Sequence, residues 1–208
     1  MGEVASIEGL LAAQTLWRAG RSPQARAGGE PTGYAALDAL LPQGGWPAHA
    51  ITELLLPADG VGELSLLMPT LARISQAGGT IVVIAPPYIP YALAWRAGGV
   101  NLTHLHIVQA ASRDVLWSFE QCLRSGACAV VLGWVLHADM AGLRRLQMAA
   151  DAGRCLGFVL RDARHAGNPS PAALRMEAVS ASRGGMGWQV RKCRGGPVPT
   201  RAFVPVRS

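Results

Sequence analysis

The chain has 208 residues, half of them hydrophobic, so it can build a sizeable core and is not disordered throughout. No apolar run reaches the roughly 20 residues of a membrane helix, and Glu3 and Glu8 stand where a secretion signal would be basic, so a cytoplasmic location is expected. Charge is segregated: residues 1–177 carry 13 basic and 13 acidic side chains, and the whole formal +6 lies beyond Glu177.

In chain order, residues 1–18 hold Ile7, Leu10, Leu11 and Trp17 near helical spacing, which predicts a short amphipathic helix. Such a helix docks on its own body or on a partner. A Gly-, Pro- and Arg-rich linker over 19–31 follows. The core is expected over 32–177. It opens with a helix over Tyr34–Leu41, a Gly44-Gly45 turn and a strand over about Ala50–Leu56. A helix over Glu63–Gln76 is stopped by Gly78-Gly79. The β-branched run 80–87 reads as a strand buried on both faces and stopped by Pro86-Pro87. A helix then runs to about Ala97, and a strand over 104–109 would place His104 and His106 on one face.

Ser112 is the expected N-cap of the next helix, with Val115, Leu116, Phe119 and Leu123 inward and Gly126 as its stop. The strand over 127–135 comes next. Asp139 then caps a helix with Met140, Leu143, Leu146 and Ala150 inward and Arg144, Arg145 and Gln147 outward. A strand over 155–160 completes the alternation, which predicts an α/β fold with a mostly parallel sheet covered on both faces. Segments 173–182, 187–194 and 201–206 read as an antiparallel extension, and residues 178–208 form a basic tail of strands. Trp95, Trp117 and Trp134 are expected in the core, with the alternative that Trp134 fills space at the nucleotide face.

The chemistry centres on residues 53–67, a strand, a Pro/Asp/Gly turn and a helix start. A phosphate loop has this shape. It needs glycines for close backbone approach, a lysine for the phosphates and a Ser or Thr for magnesium, in the form GxxxxGK[ST]. Here Gly60 and Gly62 remain, Glu63 stands at the lysine, Leu64 at the hydroxyl and Ser65 one residue on. A charge pair at about 4 Å is worth roughly 4 kcal/mol at an effective dielectric near 20, so the exchange turns attraction into repulsion. No Lys or Arg occurs between Arg26 and Arg73, so a slip in register does not supply one. The position of a magnesium-binding carboxylate falls on Gly133, and that of a water-activating glutamate on Pro87.

Elsewhere the candidates are fewer. Cys122, Cys128, Cys155 and Cys193 form no CxxC pair and read as buried reduced thiols. His104 and His106 lack a third ligand, so no metal site is expected. Arg183, Arg191, Lys192, Arg194 and Arg201 are candidate contacts to a partner or to DNA, because guanidinium groups suit phosphate and carboxylate. A solvated tail is the alternative.

The order of these segments resembles the RecA recombinase core across nearly all of residues 32–206. The lead-in "TGYAALDALLPQGGWPAHAITELLLP", the segment "VVIAPPYIPYALAWRAGGVN" and "RSGACAVVLGWV" carry the likeness, and 167–182 resembles a shortened DNA-gripping loop with its following strand. Within that superfamily the chain is similar to the ImuA family through "GVGELSLLMPTLA", "LWSFEQCLRSGACAVVLGW", "LRRLQMAADAG" and "SPAALR". The resemblance implies a RecA-like fold without ATPase activity and without a cofactor. It implies an accessory role in damage-induced translesion synthesis alongside RecA, the inactive polymerase relative ImuB and, indirectly, an error-prone C-family DNA polymerase. It implies weak DNA contact at most and no membrane. The SulA family, inhibitors of the division protein FtsZ, is similar in turn and gives the alternative reading.

Overall fold

The computed structural model describes residues 28–135, 137–181 and 185–205. The helix expected over 1–18, most of the linker, Arg183 and Arg207 lie outside the described residues. Strands β1 (Ile51–Leu56), β2 (Ile81–Ile84), β3 (Leu105–Val108), β4 (Val130–Trp134), β5 (Leu156–Asp162), β6 (Leu174–Ser180) and β7 (Met186–Cys193) make one sheet. Their order is β3-β2-β4-β5-β1-β6-β7. All pairings are parallel except β6 with β7, so the expected α/β class with an antiparallel C-terminal extension is what the chain adopts. Strands β1, β2 and β4 are buried at every position, as continuous apolar runs dictate when helices cover both faces.

The helices are α1 (Ala35–Asp38), α2 (Glu63–Gln76), α3 (Ala92–Ala97), α4 (Val115–Arg124) and α5 (Met140–Ala152). Leu66, Leu67, Leu71 and Ile74 of α2 and Trp95 of α3 pack on one face of the sheet, against Leu54, Val83, Leu132 and Phe158. Phe119 and Leu123 of α4 and Leu143, Leu146 and Ala150 of α5 pack on the other, against Ile51, Val131 and Val159. From β1 the chain winds through β2 to the β3 edge, then returns through β4 to β5. The winding therefore reverses between neighbouring β2 and β4, and open α/β sheets place their ligand crevices at the carboxyl ends of strands beside such a reversal.

Local physics explains where the elements differ from expectation. A turn in which Asp114 N donates to Ala111 O delays α4 to Val115, so Ser112 does not cap it. Asp139 does cap α5, accepting from Gly142 N at 2.7 Å. Gln147 turns inward and accepts from Ile51 N at 3.2 Å. His104 ends a 3-10 turn ahead of β3, so it does not share a strand face with His106. Of the expected strand over 201–206, the described residues contribute a single bridge, Phe203 to Trp188. Trp95 and Trp134 are buried, whereas Trp117 is 64% exposed. Strand β6 runs through the boundary drawn after Glu177, so the basic extension is continuous with the core sheet.

Candidate functional site

The corner between β1 and α2 stands where the sequence resembles a phosphate loop. Gly60 and Gly62 both adopt left-handed conformations, with φ of 79° and 105°, which side-chain-bearing residues avoid. Glu63 then begins α2, but it does not project toward solvent to repel an incoming phosphate. It is 3% exposed, and its Oε1 accepts from Gly60 N at 3.0 Å. A backbone amide at a helix N-terminus favours an anion, and here the chain's own carboxylate takes that place. Its other oxygen is buried without a partner among the described residues.

The neighbouring positions are committed to packing. Leu64 lies against the apolar cluster and Ser65 faces solvent. Pro69 within α2 has no N–H to offer the carbonyl of Ser65, and the Tyr34 hydroxyl donates to that oxygen instead at 2.9 Å. At Gly133 a Cβ would sit 2.8 Å from the Ile84 carbonyl oxygen and 3.1 Å from Phe119 Cε2, so a carboxylate there requires β2 and α4 to move. Trp134 packs into the cluster shared by β1 and α2, its Nε1 buried without a partner among the described residues. Pro87 is exposed and lines a cavity of about 300 Å³ at the carboxyl ends of β2, β3 and β4. The structure thus gathers Gly60, Gly62, Glu63, Pro87, Gly133 and Trp134 at one end of the sheet.

The basic C-terminal residues are largely engaged within the chain. Arg191 pairs with Glu177 at 2.5 Å. Lys192 Nζ donates to Ser170 O at 2.5 Å and Arg194 Nη2 to Pro171 O at 3.0 Å. Burial, with Arg194 and Arg175 nearby, lowers the Lys192 ammonium from its usual range. Arg201 is exposed. Three of the five candidate contacts therefore bind their own chain, and Arg183 lies outside the described residues.

Sequence reasoning missed a buried charge network beneath them. Glu53 of β1 is fully buried between Arg161 of β5, at 2.8 Å, and Arg175 of β6, at 2.6 Å. Arg161 also donates to Ala138 O at 2.8 Å. Arg175 donates to the carbonyls of His165, Ala166 and Asn168 at 2.9, 3.2 and 2.9 Å. Together with Lys192 and Arg194, these donors fasten residues 165–171 to the sheet, so the segment that resembles a shortened DNA-gripping loop is clamped. The clue was available: each of these charges interrupts an apolar strand, and a buried charge requires a partner. A second missed feature is the exposed run Tyr88, Ile89, Tyr91 and Leu93 just after β2.

Comparison with known proteins places this geometry among relatives. No family model matches the chain. The cell division inhibitor SulA of Edwardsiella piscicida is 33% identical over 100 residues, covering 47% of this chain and 60% of that protein. RecA of Deinococcus radiodurans is 33% identical over 126 residues, covering 60% of this chain and 34% of that protein. These relatives support a SulA/RecA-like superfamily. The chain spans less than two thirds of either relative's length. The crystal structure of SulA from Pseudomonas aeruginosa matches at 27% identity and a TM-score of 0.46, covering 55% of this chain and 98% of that one. Within this superfamily setting, β1, the glycine corner and α2 are the segment to weigh for function. Among the described residues, no helix is long and apolar enough to cross a membrane.

Proposed function

We propose that the chain is a non-hydrolysing accessory protein of the bacterial DNA-damage response, of the ImuA type. It acts through contacts with an ImuB-like inactive polymerase relative and with RecA, and so supports translesion synthesis by an error-prone C-family polymerase. The observation that carries this reading is Glu63, buried at the lysine position of the phosphate loop and bonded to Gly60 N. Gly133, closed against a side chain by Ile84 and Phe119, and Pro87 support the same reading. The engaged Arg191, Lys192 and Arg194 favour protein contacts over DNA as the working surface.

Pull-down with purified ImuB-type protein and with RecA, each with and without single-stranded DNA, tests the proposal. Capture of at least one is expected, and capture of neither overturns it. Loss of nucleotide binding has its own test. A ligand at a hundred times its dissociation constant adds about 2.7 kcal/mol of stability, so a thermal upshift with ATP and magnesium would refute a closed site. A second reading, a SulA-type inhibitor acting on FtsZ, draws on the match that covers 60% of the Edwardsiella SulA. It requires filamentous cells on overexpression, and wild-type cell length removes it.

A further inference from the structure

The cavity at the carboxyl ends of β2, β3 and β4 lies beside the winding reversal and shares Asp59 with the glycine corner. Asp59, Pro86, Pro87, Gln109, Ser112 and Trp134 are among its walls. Its volume of about 300 Å³ is at the lower end for small-molecule pockets, a size for one side chain rather than a nucleotide. The described lining contains one carboxylate, Asp59, one imidazole, His137, and no Lys or Arg. Asp59 makes no ion pair among the described residues. The one formal charge in the lining is negative, so it repels a phosphate or an acidic group and matches a cation.

The rim is as unusual as the floor. Directly after Pro86 and Pro87, Tyr88 is 73% exposed, Ile89 90%, Tyr91 66% and Leu93 49%. These are four of the nine large exposed hydrophobics among the described residues, gathered within six positions. Exposed apolar surface of this kind marks interaction sites, and tryptophan, tyrosine and arginine are enriched among the anchors of such interfaces. Guanidinium groups also stack on aromatic faces, which an ammonium does less well.

We propose that this socket and its rim dock a partner polypeptide that inserts an arginine beside Asp59 and lays flanking apolar side chains on Tyr88, Ile89 and Tyr91. The inference rests on reading the chain as an interaction protein, but on neither ImuB nor RecA being the partner. The test is amide-shift titration of the ¹⁵N-labelled full chain with N-acetyl-Leu-Arg-Leu-amide, against the same peptide with citrulline or glutamate at the centre. Saturable shifts are expected at Asp59, Gln109 and Ser112, with the arginine peptide about fivefold tighter than the citrulline one, the worth of a partly exposed ion pair. Asp59→Asn removes that preference. The double variant Ile89→Ser/Tyr91→Ser weakens both peptides alike, and both changes are at exposed positions that leave folding intact. Equal binding of the arginine, citrulline and glutamate peptides, shifts confined to other surfaces, or no saturable shift overturns the proposal. So does a dimer that the double variant dissolves, which would assign the face to a second copy. Failure of the ImuB and RecA pull-downs leaves these shifts untouched, so the two readings fail separately.

Discussion

Replacing Glu53 by Gln removes one negative charge from between two guanidinium groups that are themselves almost wholly buried. Arg161 and Arg175 approach the two carboxylate oxygens at 2.8 and 2.6 Å, with side-chain exposures of 3% and 7%. A glutamine can accept from one of them, but its amide hydrogens face the other, donor against donor. Breaking a buried pair by removing one partner costs about 3–5 kcal/mol, against a total stability of about 5–15 kcal/mol for a typical domain. For a chain of this size that corresponds to a fall of roughly 6–20 °C in the unfolding midpoint. Urea titration gives the free energy. Trypsin gives the location, because Arg164 stands exposed directly before the clamped segment and its cleavage reports release of residues 165–171. Arg175→Met, which also strips the donors from three loop carbonyls, is expected to speed that cleavage at least as much. A Glu53→Gln variant within 1 kcal/mol of wild type, with unchanged cleavage at Arg164, would refute the claim that the network fastens the loop.

Glu63→Lys, which restores the lysine of the motif, is expected to cost about 3 kcal/mol or more by burying an unpaired ammonium. It should show no ATP-dependent stabilisation, and a variant of wild-type stability that binds ATP would contradict the closed corner. Gly133→Asp should destabilise by a similar amount, because its Cβ would lie 2.8 Å from the Ile84 carbonyl oxygen and overpacking adds to desolvation; urea unfolding measures it. Burial, with Arg161 and Arg164 close by, lowers the His165 imidazole from its usual 6.5. The neutral form is therefore favoured by folding. Its contribution is present above the unfolded value and is lost as pH falls through the folded one, so thermal stability should fall below pH 6.5, and less steeply in His165→Asn. The Cys155 and Cys193 thiols are pushed up to about 12 and about 11 by burial. At pH 8 they should alkylate only on unfolding, after the part-exposed Cys122 and Cys128, as timed mass spectrometry would show.

What the sequence made legible follows from the range over which each signal acts. Helix α2 could be bounded at both ends because glycines of positive φ flank it, Gly62 directly before Glu63 and Gly78 two residues after Gln76. The buried strands followed from β-branched runs, and the parallel sheet from their alternation with helices. The Glu53 network was not legible, since its members lie 108 and 122 positions apart and meet only through strand order. The bonds of the basic tail were hidden for the same reason: a cation's charge is visible in sequence, but the carbonyls of Ser170 and Pro171 that engage Lys192 and Arg194 are not. Trp117 shows the limit from the other side, for an apolar residue on a helix says nothing of whether another element covers it. At Glu63 the sequence shows a carboxylate at the motif's lysine position, yet counting charges could not reveal that the carboxylate turns inward.

That inward turn bears on how the corner keeps its shape. In this corner of left-handed glycines the Gly60 amide points toward the start of α2, where an anion is ordinarily stabilising. With no phosphate there, the Gly60 amide would depend on water, and the corner would hold its shape less firmly. Glu63 supplies the acceptor from within the first turn of α2, where a negative charge also opposes the helix dipole favourably. A neutral, short residue at this position would leave the amide unmet, and a lysine would bring a second positive group against it. The glutamate therefore lets the corner keep its geometry without ligand. Asp59 of the same corner, with Trp134, also walls the switch-point cavity, so the order of the corner bears on the shape of that cavity.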